Sequence, residues 1–222
     1  MSGWGGYALA WAAFLLTHFV PTRPRLRGRL IAALGRRAWF SLYGLVSLAV
    51  TAWLIWAAGR APFWEIWPQL PWMRWVPNLV LPVAVALAVL GLPARTATLG
   101  GPRAPRPLEG PPGIAAVTRH PLLWALALWS LSHLFPNGDL AHVLLFGGFA
   151  ALAFAGMAAF DARVRAALGP AAPAYFDTHP LLALRRTRWP PGTVRRLLAA
   201  LAIWLGALLL HPWVIGVTPL PL

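Results

Sequence analysis

The sequence predicts an all-α fold, a polytopic integral membrane helix bundle of about six transmembrane helices. Three observations support this. Of the 222 residues, 59% are hydrophobic and only 11% are charged, against roughly 25% charged in soluble domains. Six apolar stretches approach the length of about 20 residues that a membrane-spanning helix needs. Arginines concentrate in alternate connections between these stretches. We expect residues 1–222 to form a single membrane-embedded domain.

The six apolar stretches contain almost no charged side chains, and each predicts one helix. The third and fourth are the shortest, and they are long enough to cross a membrane only if flanking residues are included in the helix. Six such stretches in one chain disfavour a water-soluble helical core. In chain order they are Gly3–Val20, Trp39–Ala58, Asn78–Pro93, Pro121–Pro136, Leu140–Phe160 and Leu197–Val214.

The arginines predict the orientation of the bundle. Seventeen of the nineteen lie in the first, third and fifth connections, whereas the second holds only Arg60 and Arg74 and the fourth holds none. Because cytoplasmic loops carry the excess of basic residues, both termini are expected outside. The net charge of +14 therefore indicates topology and attraction to anionic lipids rather than nucleic-acid binding. Arginine used to the exclusion of lysine indicates a GC-rich coding sequence and hence a bacterium, so we expect a multi-pass protein of the bacterial inner membrane.

The composition excludes several kinds of site. The chain has no cysteine, so disulfides, cysteine-bound zinc, iron–sulfur clusters and covalently attached haem are excluded. All of its basic residues other than histidine are arginine. The missing lysine excludes Schiff-base cofactors and the Walker A phosphate loop.

Ionisable groups inside a bilayer are costly and therefore point to function. The carboxylates are expected in loops or at helix ends, which disfavours a proton-coupled transporter; they are Glu65, Glu109, Asp139, Asp161 and Asp177. The histidines separate by predicted depth into an inner and an outer group. The inner group is His18, His120 and His179, and the outer group is His133, His142 and His211.

Uncharged imidazoles in an apolar bundle suit a non-covalent haem b. The alternative for each histidine is a structural hydrogen bond at a helix end, which is favoured for His142, His179 and His211. Arg119, beside His120, is a candidate partner for a haem propionate or a substrate carboxylate. Its alternative role is to anchor the helix on the cytoplasmic side.

Several motifs together resemble the NnrU family of bacterial membrane proteins, over most of residues 1–160. The first helix ends in His18, and a basic connection follows it. The other motifs are Arg36-Arg37-Ala-Trp39-Phe-Ser-Leu-Tyr43-Gly44, Thr118-Arg119-His120-Pro121, Trp129-Ser-Leu-Ser-His133-Leu, Pro136-Asn137-Gly138-Asp139 and Leu144-Leu145-Phe146-Gly147-Gly148-Phe149.

The resemblance implies haem b with axial ligands at His18 and His133. The family is associated with nitrite and nitric oxide reduction in denitrifying bacteria. It is also similar to the plant 15-cis-zeta-carotene isomerase, which implies redox or isomerase-type chemistry on a lipophilic substrate. The plant enzyme has a cysteine three residues before its second histidine. Here that position is Ser130, so a thiolate ligand switch cannot operate.

Predicted depth gives a rival ligand pair. Thirteen residues separate His120 from His133, a rise of about 20 Å along a helix. If helices one and four are antiparallel, His18 lies near the inner face with His120, while His133 lies near the outer face. The pair His18 and His120 therefore stays open beside the pair implied by the resemblance.

A second resemblance is to membrane methyltransferases that hold S-adenosylmethionine with an Arg-His-Pro helix start and a later acidic helix. It is carried by Arg119-His120-Pro121 and by Asp161. The sequence departs from that pattern at Leu123 and Ala125, and Asp161 stands in place of two glutamates. A third alternative is a non-enzymatic membrane scaffold with structural histidines.

Overall fold

A computed structural model describes residues 3–94, 113–183 and 187–221, and this part of the chain is helical without strands. Nine α-helices are seen there: α1 (Gly3–Phe19), α2 (Pro24–Leu34), α3 (Arg36–Ala58), α4 (Trp75–Gly91), α5 (Ile114–Val117), α6 (Pro121–Leu134), α7 (Leu140–Leu168), α8 (Ala172–Thr178) and α9 (Thr193–Val214). Short 3₁₀ helices precede α4 and α8. Residues 95–112, which hold Glu109 and three of the four arginines of the predicted third connection (Arg95, Arg103 and Arg106), lie outside the described residues, as do Arg185 and Arg186.

Backbone contacts divide the chain into two compact units. The first contains residues 1–67 and 139–145, and the second contains residues 68–138 and 146–222. The prediction of one domain over residues 1–222 stays a prediction.

In the first unit, α1 packs along α3. Tyr7, Ala10 and Phe14 recur every three or four residues along α1 and are buried. The hydroxyl of Tyr43, near the start of α3, donates to the carbonyl of His18, near the end of α1, at 3.3 Å. The two helices are therefore antiparallel. Gly35 separates α2 from α3 with φ +78° and ψ 154°, a conformation that favours glycine.

In the second unit, α4 packs against α6 and α9. A Cβ on Gly91, at the end of α4, would lie 2.8 Å from the ring of Pro121, at the start of α6. The Asn78 side chain, near the start of α4, donates to the carbonyl of Pro219 beyond the end of α9 at 2.8 Å. Both neighbours of α4 therefore run antiparallel to it.

The surfaces of these helices are apolar and exposed. In α9 only Ala200 is buried, and Trp213 is 87% exposed. Among the described residues, four helical segments are long and apolar enough to cross a membrane: Arg36–Ala58, Pro71–Gly91, Leu140–Thr178 and Thr193–Val214. Exposed apolar surface of this extent indicates lipid contact, so the chain is a helical, multi-pass membrane protein.

The predicted helices agree with the observed ones apart from their ends. Helix α1 has 17 residues and α6 has 14, so a count of six spans stays a prediction, as does the orientation. Helix α2, which lies in the predicted first connection, was not predicted. The fifth stretch was predicted to end at Phe160, but α7 continues to Leu168. The placement of Asp161 in a loop or at a helix end was therefore wrong.

Candidate functional site

A buried and extensively hydrogen-bonded polar cluster of the second unit forms where α6 begins. Pro121 is the first residue of α6, and a proline excludes helical geometry from the residue before it. His120 accordingly leaves the helix with φ −127° and ψ 53°. Thr118 accepts the His120 backbone N–H at 3.1 Å and donates its hydroxyl to the carbonyl of Leu181 at 2.7 Å. This turn directs Arg119 and His120 toward α7.

Asp161, on α7, is the partner of both side chains. Its Oδ1 accepts Nε–H of Arg119 at 2.8 Å, and its Oδ2 accepts Nη2–H of the same guanidinium. His120 Nε2 lies 2.9 Å from Oδ1. Because a carboxylate only accepts, His120 donates from Nε2. All three side chains are buried, and this paired geometry is the strong form of an arginine–carboxylate contact.

His179 and residues of α8 also belong to the surroundings of this cluster. Arg119 donates from Nη1 to the His179 carbonyl at 3.1 Å. The His179 ring stacks on Tyr175 with 4.1 Å between ring centroids and bonds the Tyr175 carbonyl through Nδ1 at 3.1 Å. The Phe176 ring lies within 4.8 Å of the guanidinium carbons of both Arg119 and Arg165.

Burial sets the charge of this cluster. It lowers the pKa of His120, an effect that hydrogen bonding to Asp161 opposes. It also lowers the pKa of His179, with the positive charge of Arg119 acting in the same direction. Both imidazoles are therefore neutral near pH 7, and the charge of Arg119 is balanced by Asp161.

An open depression of about 270 Å³ lies beside the cluster, at the bend between α7 and α8. Its lining consists of Arg165, Gly169, Ala172, Pro173 and Phe176. Phe176 therefore belongs both to this depression and to the surroundings of Arg119. Three of the five lining residues, Gly169, Ala172 and Pro173, are small, which leaves room for a flat or extended group.

His18 lies in the last turn of α1, in the first unit. Its Nδ1 is 2.9 Å from the carbonyl of Phe14, and its ring stacks on the Phe14 ring with 4.0 Å between centroids. Since the carbonyl only accepts, Nδ1 carries the proton and Nε2 keeps its lone pair. The Tyr43 ring faces the imidazole edge-on.

His133 repeats this arrangement near the end of α6, in the second unit. Its Nδ1 is 2.7 Å from the carbonyl of Trp129, and its ring stacks on Phe146 with 5.1 Å between centroids. Within the described part of the chain, Nε2 of His133 and of His18 makes no hydrogen bond. In both histidines, therefore, Nδ1 is hydrogen-bonded to the helix backbone and Nε2 keeps its lone pair.

The remaining two histidines serve local structure. Nδ1 of His142 lies 2.7 Å from Asp139, which precedes α7 and also accepts the His142 backbone N–H. His211 bonds the carbonyl of Val217 at the exposed end of α9. Among the described residues, no group of three or more histidine or acidic side chains is arranged to hold a metal ion.

The match to known families covers nearly the whole chain. The family model described as NnrU protein matches residues 7–219. The chain belongs to the NnrU family. No curated protein and no solved structure is significantly similar to it.

Membership of the NnrU family extends beyond residues 1–160, where the motifs are densest, to include α8 and α9. Of the predicted site residues, the structure brings Arg119 and His120 together around Asp161. It places His18 in the first unit and His133 at the opposite end of α6 from His120. The sequence placed His179 in the inner histidine group with His120 and marked Thr118 within the Arg-His-Pro motif, but it did not predict their contacts with this cluster. Phe176 was not predicted, and no sequence signal marks it.

Proposed function

We propose that this NnrU family member binds haem b, with Nε2 of His18 and Nε2 of His133 as the candidate iron ligands, each judged by the geometry within its own unit. The observation that carries the proposal is the shared geometry of the two side chains. Each donates Nδ1–H to the carbonyl four residues earlier, which is the usual second contact of a metal-ligating histidine. Aromatic rings pack against both imidazoles. Apolar surroundings of this kind suit the apolar macrocycle of haem.

The rival ligand His120 fits a haem less well. Its Nε2 donates to Asp161, so that nitrogen offers no lone pair. Arg119 also directs three N–H groups to Asp161 and the His179 carbonyl. A haem propionate at Arg119 would compete with a carboxylate already in place, and we therefore leave Arg119 out of the proposed haem site.

When bound, haem supplies one-electron redox chemistry. The chain's own part is to hold the two imidazoles in one tautomer and to exclude water with apolar helices. We propose a redox or isomerase-type reaction on a lipophilic substrate, or support of nitrite and nitric oxide respiration. The Ser130 hydroxyl donates to the Leu126 carbonyl within α6, which supports the view that no ligand switch occurs at this position.

The test is a reduced-minus-oxidised absorption spectrum of protein purified after haem-replete expression. We expect a b-type spectrum that is lost in His18→Ala and in His133→Ala. His120→Ala and the matched control His211→Ala, at an exposed helix end, should retain it. A haem-free wild-type protein, or a spectrum lost in His120→Ala and kept in His133→Ala, would contradict the proposal.

A second candidate function is methyl transfer from S-adenosylmethionine at the cytoplasmic face. The observation that favours it is the meeting of Arg119, His120 and Asp161 beside the depression that contains Phe176. Calorimetry should then detect binding of S-adenosylmethionine by the wild-type protein and its loss in Arg165→Ala. Binding of neither haem nor S-adenosylmethionine would favour a membrane scaffold.

We further propose that the protein lies in the bacterial inner membrane with six spans and with both termini outside. The arginine distribution supports this orientation, and α1 and α6 would complete the set of spans. A C-terminal alkaline phosphatase fusion should be active, and a fusion within residues 103–106 inactive. The reverse pattern would invert the topology.

A further inference from the structure

The connection between α1 and α3 carries the densest group of basic side chains in the described part of the chain. It contains six arginines, at positions 23, 25, 27, 29, 36 and 37, and the sequence has no acidic residue before Glu65. Of the six, only Arg27 is half-buried, and the other five are exposed. Within the described residues no ion pair joins any of them to a carboxylate.

Helix α2 gives this charge two distinct sides. Leu26, Leu30 and Leu34 recur every four residues and lie along one side of the helix, whereas Arg25 and Arg29 lie along another. Leu26 and Leu30 are half-buried, and Leu34 is 46% exposed. No residue of α2 is fully buried. A short helix with an apolar side and an arginine side is typical of one that lies in a membrane interface.

The intrinsic energetics of α2 point to an anionic partner. Arg25 and Arg29 are like charges four residues apart, which destabilises a helix. Arg25 also lies in the first turn, where the helix dipole opposes positive charge. Eleven residues are too few for an isolated helix to be stable in water. Anionic groups lying against Arg25 and Arg29 would offset both the repulsion between these arginines and the unfavourable helix-dipole interaction.

The contacts of α2 with α3 leave the arginine side open. Arg27, on the opposite side from Arg25, lies over the Phe40 ring of α3 at 5.5 Å, and Arg36 lies over the same ring at 5.2 Å. This contact orients α2 on α3 while Arg25 and Arg29 stay exposed.

We propose that α2 and its flanking arginines form a binding surface for the headgroups of anionic phospholipids. In this arrangement Arg23, Arg25, Arg29 and Arg37 bind phosphate groups, and Leu26, Leu30 and Leu34 reach the acyl boundary. The surface lies wholly in the first unit. The inference depends on membrane embedding and is independent of haem binding.

Native mass spectrometry of the full-length protein in detergent tests this surface with added phosphatidylglycerol, phosphatidylcholine or free glycerol 3-phosphate. The test variant is Arg25→Gln/Arg29→Gln. The matched control is Arg195→Gln/Arg196→Gln, which removes the same charge from the start of α9. Glutamine preserves helix propensity, and a melting temperature measured without lipid verifies folding.

We expect the wild-type protein to bind phosphatidylglycerol in preference to phosphatidylcholine. The affinity for phosphatidylglycerol should fall about tenfold in the α2 variant, because each basic residue near an anionic surface contributes several-fold. It should change less than about twofold in the control. Arg29→Gln alone, with a loss of about threefold, is the milder variant if the double variant does not fold.

Three results would overturn the proposal. Equal losses in the α2 and α9 variants would indicate non-specific attraction to net charge. Equal binding of phosphatidylglycerol and phosphatidylcholine would remove the role of the headgroup charge. Competition by glycerol 3-phosphate as effective as that of the lipid would show a simple anion site without contact to the acyl boundary.

Discussion

Arg119 and Asp161 form a buried, two-point ion pair between the turn before α6 and the last third of α7. Nε of Arg119 lies 2.8 Å from Oδ1 of Asp161, and Nη2 donates to Oδ2. The side chain of each is 10% exposed. The pair joins residues 42 positions apart, and His120 adds a second donor to the same carboxylate. This contact joins the start of α6 to α7 within the second unit.

Replacement of Asp161 by asparagine should destabilise the protein strongly. The substitution leaves the Arg119 charge buried without its counter-charge, and breaking such a pair costs about 3–5 kcal/mol. Thermal unfolding in detergent micelles measures the effect. Arg163→Gln, an exposed change two residues along α7, is the control and should cost less than about 1 kcal/mol.

A double replacement distinguishes the effect of an unpaired buried charge from the effect of lost side-chain packing. In Arg119→Met/Asp161→Leu both charges are removed together, so most of the stability lost in Asp161→Asn should return. A single variant as stable as the wild type would show that the ion pair does not hold α6 to α7.

Stability should fall as the pH drops through the ordinary histidine range. Burial lowers the pKa of both His120 and His179 below the usual value, about 6.5 in unfolded chains. The unfolded state therefore binds more protons in this window, and folding is disfavoured as the pH falls. Between about pH 7.5 and pH 5.5 each histidine can contribute at most about 1.4 kcal/mol.

The measurement is the unfolding midpoint across this pH range for the wild type and for His179→Gln. The variant should show a shallower decline, because one of the two histidines of this cluster is gone. A midpoint in the wild-type protein that stays constant or rises on acidification would contradict the proposed neutral state of the cluster.

The fold was predictable where hydropathy alone determines it. The apolar stretches at Trp39–Ala58 and Leu197–Val214 match α3 and α9 apart from their first turns. Helix α2 was missed because arginines interrupt its leucines, so no apolar stretch marks it. The extension of α7 past Asp161 was missed because alanine-rich sequence continues a helix by propensity after hydropathy has fallen.

The candidate site was predictable only in part. The motif Arg119-His120-Pro121 marked one half of the cluster, and Asp161 entered through the methyltransferase resemblance. Some contacts of the cluster join residues far apart in the chain, such as Thr118 with Leu181 and Arg119 with His179. No periodic pattern in the sequence marks contacts of this kind. These contacts depend on tertiary packing, which a single sequence does not encode in its spacing.

Gly91→Ala should destabilise the contact between α4 and α6. A Cβ at this position would lie 2.8 Å from the Pro121 ring, and overpacking of this kind typically costs 1–3 kcal/mol. Gly206→Ala is the matched control in α9, where a Cβ would meet nothing within 4 Å. The control should be neutral or stabilising by up to about 1 kcal/mol. Equal melting temperatures for both variants would contradict the close approach of the two helices.

Ser130→Ala should leave a haem spectrum unchanged, whereas His133→Ala should abolish it. The Ser130 hydroxyl donates a hydrogen bond to the Leu126 carbonyl at 2.8 Å, and Ser130 is buried. His133 instead turns its Nδ1 to the helix backbone, and its Nε2 is the nitrogen that we propose as an iron ligand. The spectra of both variants, taken in the oxidised and the reduced state, check the distinction. A change of spectrum in Ser130→Ala in only one redox state would instead indicate that this position contacts the iron during reduction.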